Sequence, residues 1–120
     1  MKYVLELEIP ILPRLPNQLL GAHWITRAAH AKKWRALIHH ELIGLLPTKP
    51  LERAKLTCTR YSLKRPDYDG LVGSFKACLD GLVKCGVLKD DTHEVIGVPD
   101  YLHERVGSKL GKISIRVEEI

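Results

Sequence analysis

The chain opens on YVLELEI, residues 3–9, in which Tyr3, Leu5, Leu7 and Ile9 alternate with Val4, Glu6 and Glu8. A period of two places the first set on one face, which predicts a strand with one buried side. IPILPRLPNQLLG follows, and its prolines predict an extended, ordered loop over residues 10–25. A helix then opens near Thr26 as N-cap and runs to about Leu46. Trp34, Leu37, Ile38, Leu42 and Leu45 form its apolar stripe, and Pro47 stops it. KLTCTRYS, residues 55–62, is rich in Thr and aromatic character and predicts a second strand.

The clearest periodicity comes next. Leu71, Val72, Phe75, Cys78, Leu79, Leu82 and Val83 fall on one broad face at helical spacing, and Gly86 suits the residue just past a helix end. EVIGVPDYLHE, residues 94–104, predicts a third strand whose Gly97 and Pro99 mark a bulge or an edge. GSKLG makes a turn, and KISIRVEEI is a final strand with Ile113, Ile115 and Val117 inward. The order β-α-β-α-β-β predicts one α+β domain over residues 1–120, a four-stranded mixed sheet with two helices packed on it.

Composition narrows the class only slightly. A chain of 120 residues with 45% apolar and 28% charged residues is an ordinary globular domain without a disordered signature. The formal charge of +5 points to an anionic partner, nucleic acid before membrane. Cys58, Cys78 and Cys85 form no CxxC and read as free thiols of a reducing, cytoplasmic compartment. The charged, proline-bearing N-terminus does not resemble a signal peptide, and no apolar run is long enough to span a membrane.

Against that basic background, RPDYDGLVGSFKACLDGLVKCGVLKDD, residues 65–91, sets two acidic pairs at the ends of one apolar-striped segment. Pro66 keeps Arg65 extended, so Asp67 and Asp69 lie at the turn before the helix, two residues apart and pointing the same way. Within the helix, positions 69, 73, 76 and 80 fall on one line, at about 0°, 40°, −20° and 20°. Asp69, Gly73, Lys76 and Asp80 are expected to form a polar track, left open by the glycine. Asp90 and Asp91 reach the first pair only if the loop 87–93 doubles back.

Carboxylates that converge do so around a cation, and hard oxygens without His or Cys suit Mg²⁺. The same residues also admit a purely structural reading. Asp67 or Asp69 can cap the helix, Asp80 can pair with Lys76 or Lys84 at i,i+4, and Asp90-Asp91 can simply turn the chain. The six histidines match no zinc spacing, and GxSxG and P-loop motifs are absent. Trp24 and Trp34 read as core or interface residues, and Tyr68 as a turn residue able to pack or to stack on a base. Arg14, Asn17, Arg27, Lys32, Lys33, Arg35, Lys64 and Arg65 are candidate DNA contacts, the cations for phosphates and Asn17 for DNA, the metal's surroundings or its own loop.

At this acidic segment the sequence resembles the RusA family of Holliday-junction resolvases, DNA endonucleases common in phages and prophages. The resemblance rests on Asp67-Tyr68-Asp69, Lys76, Asp80, Cys85-Gly86 and Asp90-Asp91, with support from LPNQLLGAHW and KKWR. It implies Mg²⁺-dependent cleavage of four-way DNA junctions by a symmetric homodimer. It further implies metal binding by Asp67, Asp69 and Asp91 and a catalytic role for Lys76. Gly70 stands where the family often has Asn, and Lys76 follows Asp69 by seven residues where four are expected. A branched-DNA-binding relative without activity and a metal nuclease acting on flaps or forks are the alternatives.

Overall fold

The N-terminal alternation folds as predicted. In the computed structural model, which describes residues 2–19, 21 and 23–120, β1 spans Val4–Ile9 with Leu5, Leu7 and Ile9 buried. Met1, and Leu20 and Ala22 of the predicted proline-rich loop, lie outside the described residues. Further along come β2 at Ala54–Ser62, β3 at Asp100–Arg105 and β4 at Lys112–Glu119. Among the described residues these strands form one sheet in the order β1-β4-β2-β3. β4 is antiparallel to both neighbours, whereas β2 and β3 are parallel, so the sheet is mixed.

Register explains the single core. Leu5 lies opposite Val117, Leu7 opposite Ile115 and Ile9 opposite Ile113, while Leu56 and Cys58 of β2 meet Val117 and Ile115 from the other side. All are buried on the face covered by the helices. The opposite face carries Glu6 and Glu8, answered by Arg116 and Lys112 of β4 in ion pairs. Exposed pairs of this kind add about 1 kcal/mol at most, so the apolar face carries the stability and the charged face keeps it oriented outward.

α2 spans Trp24–Glu41 and packs on the core through Trp34 and Ile38, with Leu42 buried just past its end. It opens two residues before Thr26, capped by His23 Nδ1, which accepts from the Ile25 N–H at 3.2 Å. It ends short of Leu46 because the chain turns at Gly44, whose φ is +79°, and Leu45 is left exposed. The predicted loop over 10–25 also contains one short turn of helix, α1 at Pro16–Leu19. Trp24 is exposed, so only Trp34 is a core residue.

The second predicted helix is two. α3 spans Tyr68–Ser74 and α4 spans Lys76–Lys84, with Phe75 at the junction. Ser74 Oγ donates to the Leu71 carbonyl at 2.8 Å, and the Phe75 N–H bonds Val72 O instead. A side chain competing for a helix carbonyl breaks the ladder, and the helical spacing of apolar residues does not register it. α4 ends at Cys85, and Gly86 takes φ +90° beyond it. The Gly86 N–H bonds Val83 O and the Val87 N–H bonds Leu82 O, which closes the helix end with paired capping bonds.

The third predicted strand is the clearest correction. Residues His93–Ile96 form a helical turn, α5, and β3 begins only at Asp100. Val95 and Ile96 both donate to Thr92 O and both are buried, where a strand would send them to opposite faces. No helix among the described residues is long and apolar enough to cross a membrane.

Candidate functional site

Asp67 is the N-cap of α3, its Oδ1 accepting from the Gly70 N–H at 2.8 Å. Gly70 makes this cap possible, because a Cβ there would stand 2.6 Å from that same oxygen. The residue that departs from the RusA pattern is thus the one that lets the Asp67 carboxylate settle on the helix N-terminus. Asp69 follows in the first turn, exposed, where the helix dipole favours negative charge.

Asp67 and Asp69 line a cavity of about 360 Å³ together with Asn17, Pro16, Pro66 and Gly70. Asn17 arrives on α1, which rests on α3 at Gly73. A Cβ on Gly73 would lie 2.4 Å from Pro16 Cγ, so the glycine admits the proline ring. The polar track is therefore not open along its length, since Pro16 covers it between Asp69 and Lys76.

The second acidic pair does double back. Lys76 Nζ stands 3.1 Å from Asp91 Oδ2 and 3.2 Å from Asp80 Oδ1. Asp91 donates its own N–H to Asp90 Oδ1 at 2.8 Å, which braces the turn. The loop is pinned from below, because Leu51 N–H bonds Val87 O and Lys89 N–H bonds Leu51 O. Asp80, Asp90 and Asp91 line a second cavity, of about 240 Å³, with Arg35 and Lys84 on its rim. Hydrogen bonding to Lys76 holds the Asp91 carboxyl below its usual range, and the two aspartates raise the Lys76 ammonium above its own. Lys76 is accordingly a fixed positive charge and not a proton acceptor at neutral pH.

Among the described residues no three His, Cys, Asp or Glu side chains form a metal-holding group, so Asp67, Asp69 and Asp91 are not gathered into one. The donor set still fits Mg²⁺. It consists of hard oxygens, and this ion takes one or two carboxylates and fills its remaining positions with water and substrate phosphate. The carboxylates of Asp67 and Asp69 on one cavity meet that need. Asp67 keeps one oxygen outside the cap, and Asp91 keeps one outside the Lys76 pair.

The candidate DNA contacts are exposed. Lys64 and Arg65 sit in the loop leading to Asp67, and Arg27, Lys32, Lys33 and Arg35 lie on α2. Arg14 comes from the β1–α1 loop, and its N–H donates to His30 Nε2 of α2 at 3.2 Å. Burial, Arg14 and Lys33 all lower the His30 pKa. The folded protein therefore favours neutral His30, and the unfolded chain binds more protons just below about pH 6.5. The stability this adds is present above that value and is lost as pH falls through the depressed folded value. His30→Gln, which removes the titration, is expected to flatten the melting-temperature slope between about pH 7 and pH 5 relative to wild type; an unchanged slope refutes the assignment.

Two residues that the sequence did not single out bear on the site. Arg60 is 6% exposed, and its Nη1 donates to Pro13 O at 2.8 Å. It thereby ties the loop that leads into α1 to the sheet, while its Nε is buried without a partner among the described residues. Its place in TCTRYS looks like any polar strand position, so no signal marked it. Tyr101 packs on Phe75 with ring centroids 5.9 Å apart. Burial, with the charges of Cys58, Tyr68 and Asp91 nearby, pushes its phenol up to about 12. Tyr101 thus stands near both Tyr68, between the first two acids, and Asp91. The parallel pairing of Tyr101 with Cys58 fixes this, and the sequence alone does not reveal it.

No protein-family model matches the chain, and no curated protein matches it.

Proposed function

We propose that this protein is a Mg²⁺-dependent endonuclease that cuts branched DNA, four-way junctions foremost, as a symmetric homodimer. The observation that supports this reading best is the Lys76 ammonium bridging Asp80 and Asp91. It sets a permanent cation and the second acidic turn against the helix pair whose first turn carries Asp67 and Asp69. These residues stand in the pattern by which the sequence resembles the RusA family.

In this reading Asp67, Asp69 and Asp91 hold the metal. When bound, Mg²⁺ supplies an acidified water and neutralises charge on the scissile phosphate. The Asp67 cap fixes the first carboxylate before substrate arrives, and Lys76 stabilises negative charge as it develops on the phosphate. Arg14, Arg27, Lys32, Lys33, Arg35, Lys64 and Arg65, joined by Asn17 beside the acidic pair, hold the flanking backbone. Resolution needs two symmetric nicks, and a two-fold dimer matches a near-symmetric junction.

A second reading has its own support. One oxygen of Asp67 serves the helix cap and one of Asp91 serves Lys76, as befits a branched-DNA-binding relative whose acids are structural. The test is to incubate purified protein with a synthetic four-way junction, a flap, a fork and a linear duplex, with and without Mg²⁺. Paired symmetric nicks on the junction, dependent on Mg²⁺, are expected. Binding without nicking supports the second reading, and cutting confined to flaps or forks reassigns the substrate.

A further inference from the structure

We infer that Lys76 is an exchangeable counter-ion, occupying Asp91 until a divalent cation takes its place, and that Asp80 is the berth that retains Lys76 afterwards. The inference rests on the nuclease reading and assigns Asp80 a function that reading lacks.

The geometry suits an exchange. Asp91 is the one acid of the proposed metal set that is paired to a cation, through Oδ2 at 3.1 Å from Lys76 Nζ. A divalent ion drawn to Asp91 meets that ammonium, and two cations on one carboxylate repel. One of them must move, and the loop is not the mobile partner. Its backbone is held by the Leu51 bonds to Val87 and Lys89, and Asp91 is braced by Asp90, none of which involves Lys76.

Lys76 is the mobile partner. Its side chain is 67% exposed on a flexible stem, against 27% for Asp91. When it leaves Asp91 it is already bonded to Asp80, one helical turn along at 3.2 Å. Asp80 therefore keeps the ammonium beside the cavity that Asp80, Asp90 and Asp91 share, where a lysine without this berth would swing into solvent. The absence of a three-carboxylate group among the described residues accords with a resting state in which Asp91 is engaged by Lys76.

Calorimetric titration of DNA-free protein with MgCl₂ reads the exchange directly. Lys76→Met removes the competitor and is expected to tighten Mg²⁺ binding roughly tenfold. Asp80→Asn leaves Lys76 only Asp91 to pair with and is expected to weaken binding several-fold. Loss of a nearby negative charge would also weaken binding, so the deciding variant is the double one. In the Lys76→Met background, Asp80→Asn is expected to have little further effect, because Asp80 acts through Lys76. Unchanged or weaker binding by Lys76→Met, or an equal effect of Asp80→Asn in both backgrounds, overturns the exchange. Asp67→Asn and Asp69→Asn separate the two levels. If both leave Mg²⁺ binding intact, the metal reading itself falls; if they weaken it while Lys76→Met changes nothing, only the exchange falls. No binding by any variant overturns both.

Discussion

Asp69→Asn is expected to abolish Mg²⁺-dependent nicking of a four-way junction while the protein stays folded and still binds the junction. The asymmetry follows from where Asp69 stands. It is exposed in the first turn of α3, and the cap bond to the Gly70 N–H belongs to Asp67. Removing its charge forfeits only a favourable interaction with the helix N-terminus, worth about 0.3–1 kcal/mol. The chemical cost is far larger on the nuclease reading. Losing one preorganised charge-stabilising group lowers turnover on the order of 10²- to 10³-fold. Junction affinity should hold or rise, because a carboxylate that repels phosphate has gone. Asp67→Asn shares the catalytic expectation and is also predicted to keep the cap, since Asn caps helices about as well as Asp. Nicking and gel-shift assays on one preparation, with a thermal melt beside them, check all three parts. An Asp69→Asn protein that cuts at the wild-type rate sinks the assignment, and one that no longer binds DNA makes the acids structural.

The sequence displays what side-chain period controls. Leu5, Leu7 and Ile9 alternate and face inward, as do Ile113, Ile115 and Val117. The Trp34 and Ile38 stripe of α2 follows from helical spacing, and Gly86 at the end of α4 from its freedom to take a positive φ. These patterns suffice for a four-stranded mixed sheet with helices on it. What period cannot carry is a bond between a side chain and a backbone group. Ser74 broke the second helix by bonding Leu71 O, a choice open to any serine and taken by few. Thr92 started a helical turn where β-branched Val95 and Ile96 read as strand.

The candidate site divides in the same way. That Asp67 caps a helix, and that Asp80 lies one turn from Lys76, is local and was legible. The arrival of Asp91 at Lys76 depends on the path of residues 85–90 and on the bridge between Leu51 and Leu88, thirty-seven positions apart in sequence like the Glu52–Lys89 pair beside it. Pro16 over Gly73 and Arg60 on Pro13 O are likewise contacts between remote segments. Each depends on the packed fold, and composition at either end says nothing of it.

The largest loss of stability is expected from Phe75→Ala. Phe75 is fully buried at the junction of α3 and α4, the one residue that belongs to both helix ends. Truncating a buried Phe costs about 3–5 kcal/mol through lost burial and the cavity left behind. A domain of this size has about 5–15 kcal/mol in total, so a third or more of its stability is at stake. Relaxation cannot readily fill the gap, because the Phe75 N–H and C=O are both bonded, to Val72 O and from the Leu79 N–H. Urea denaturation gives the stability change, and a second readout locates it. The Tyr101 ring loses its partner at 5.9 Å, so its phenol should titrate below the value of about 12 that burial now gives it. Lys76 is the next residue along, so the same variant should also loosen the Lys76–Asp91 contact. A loss smaller than about 1 kcal/mol, with the Tyr101 titration unmoved, would show that the helix junction is held by something other than this ring.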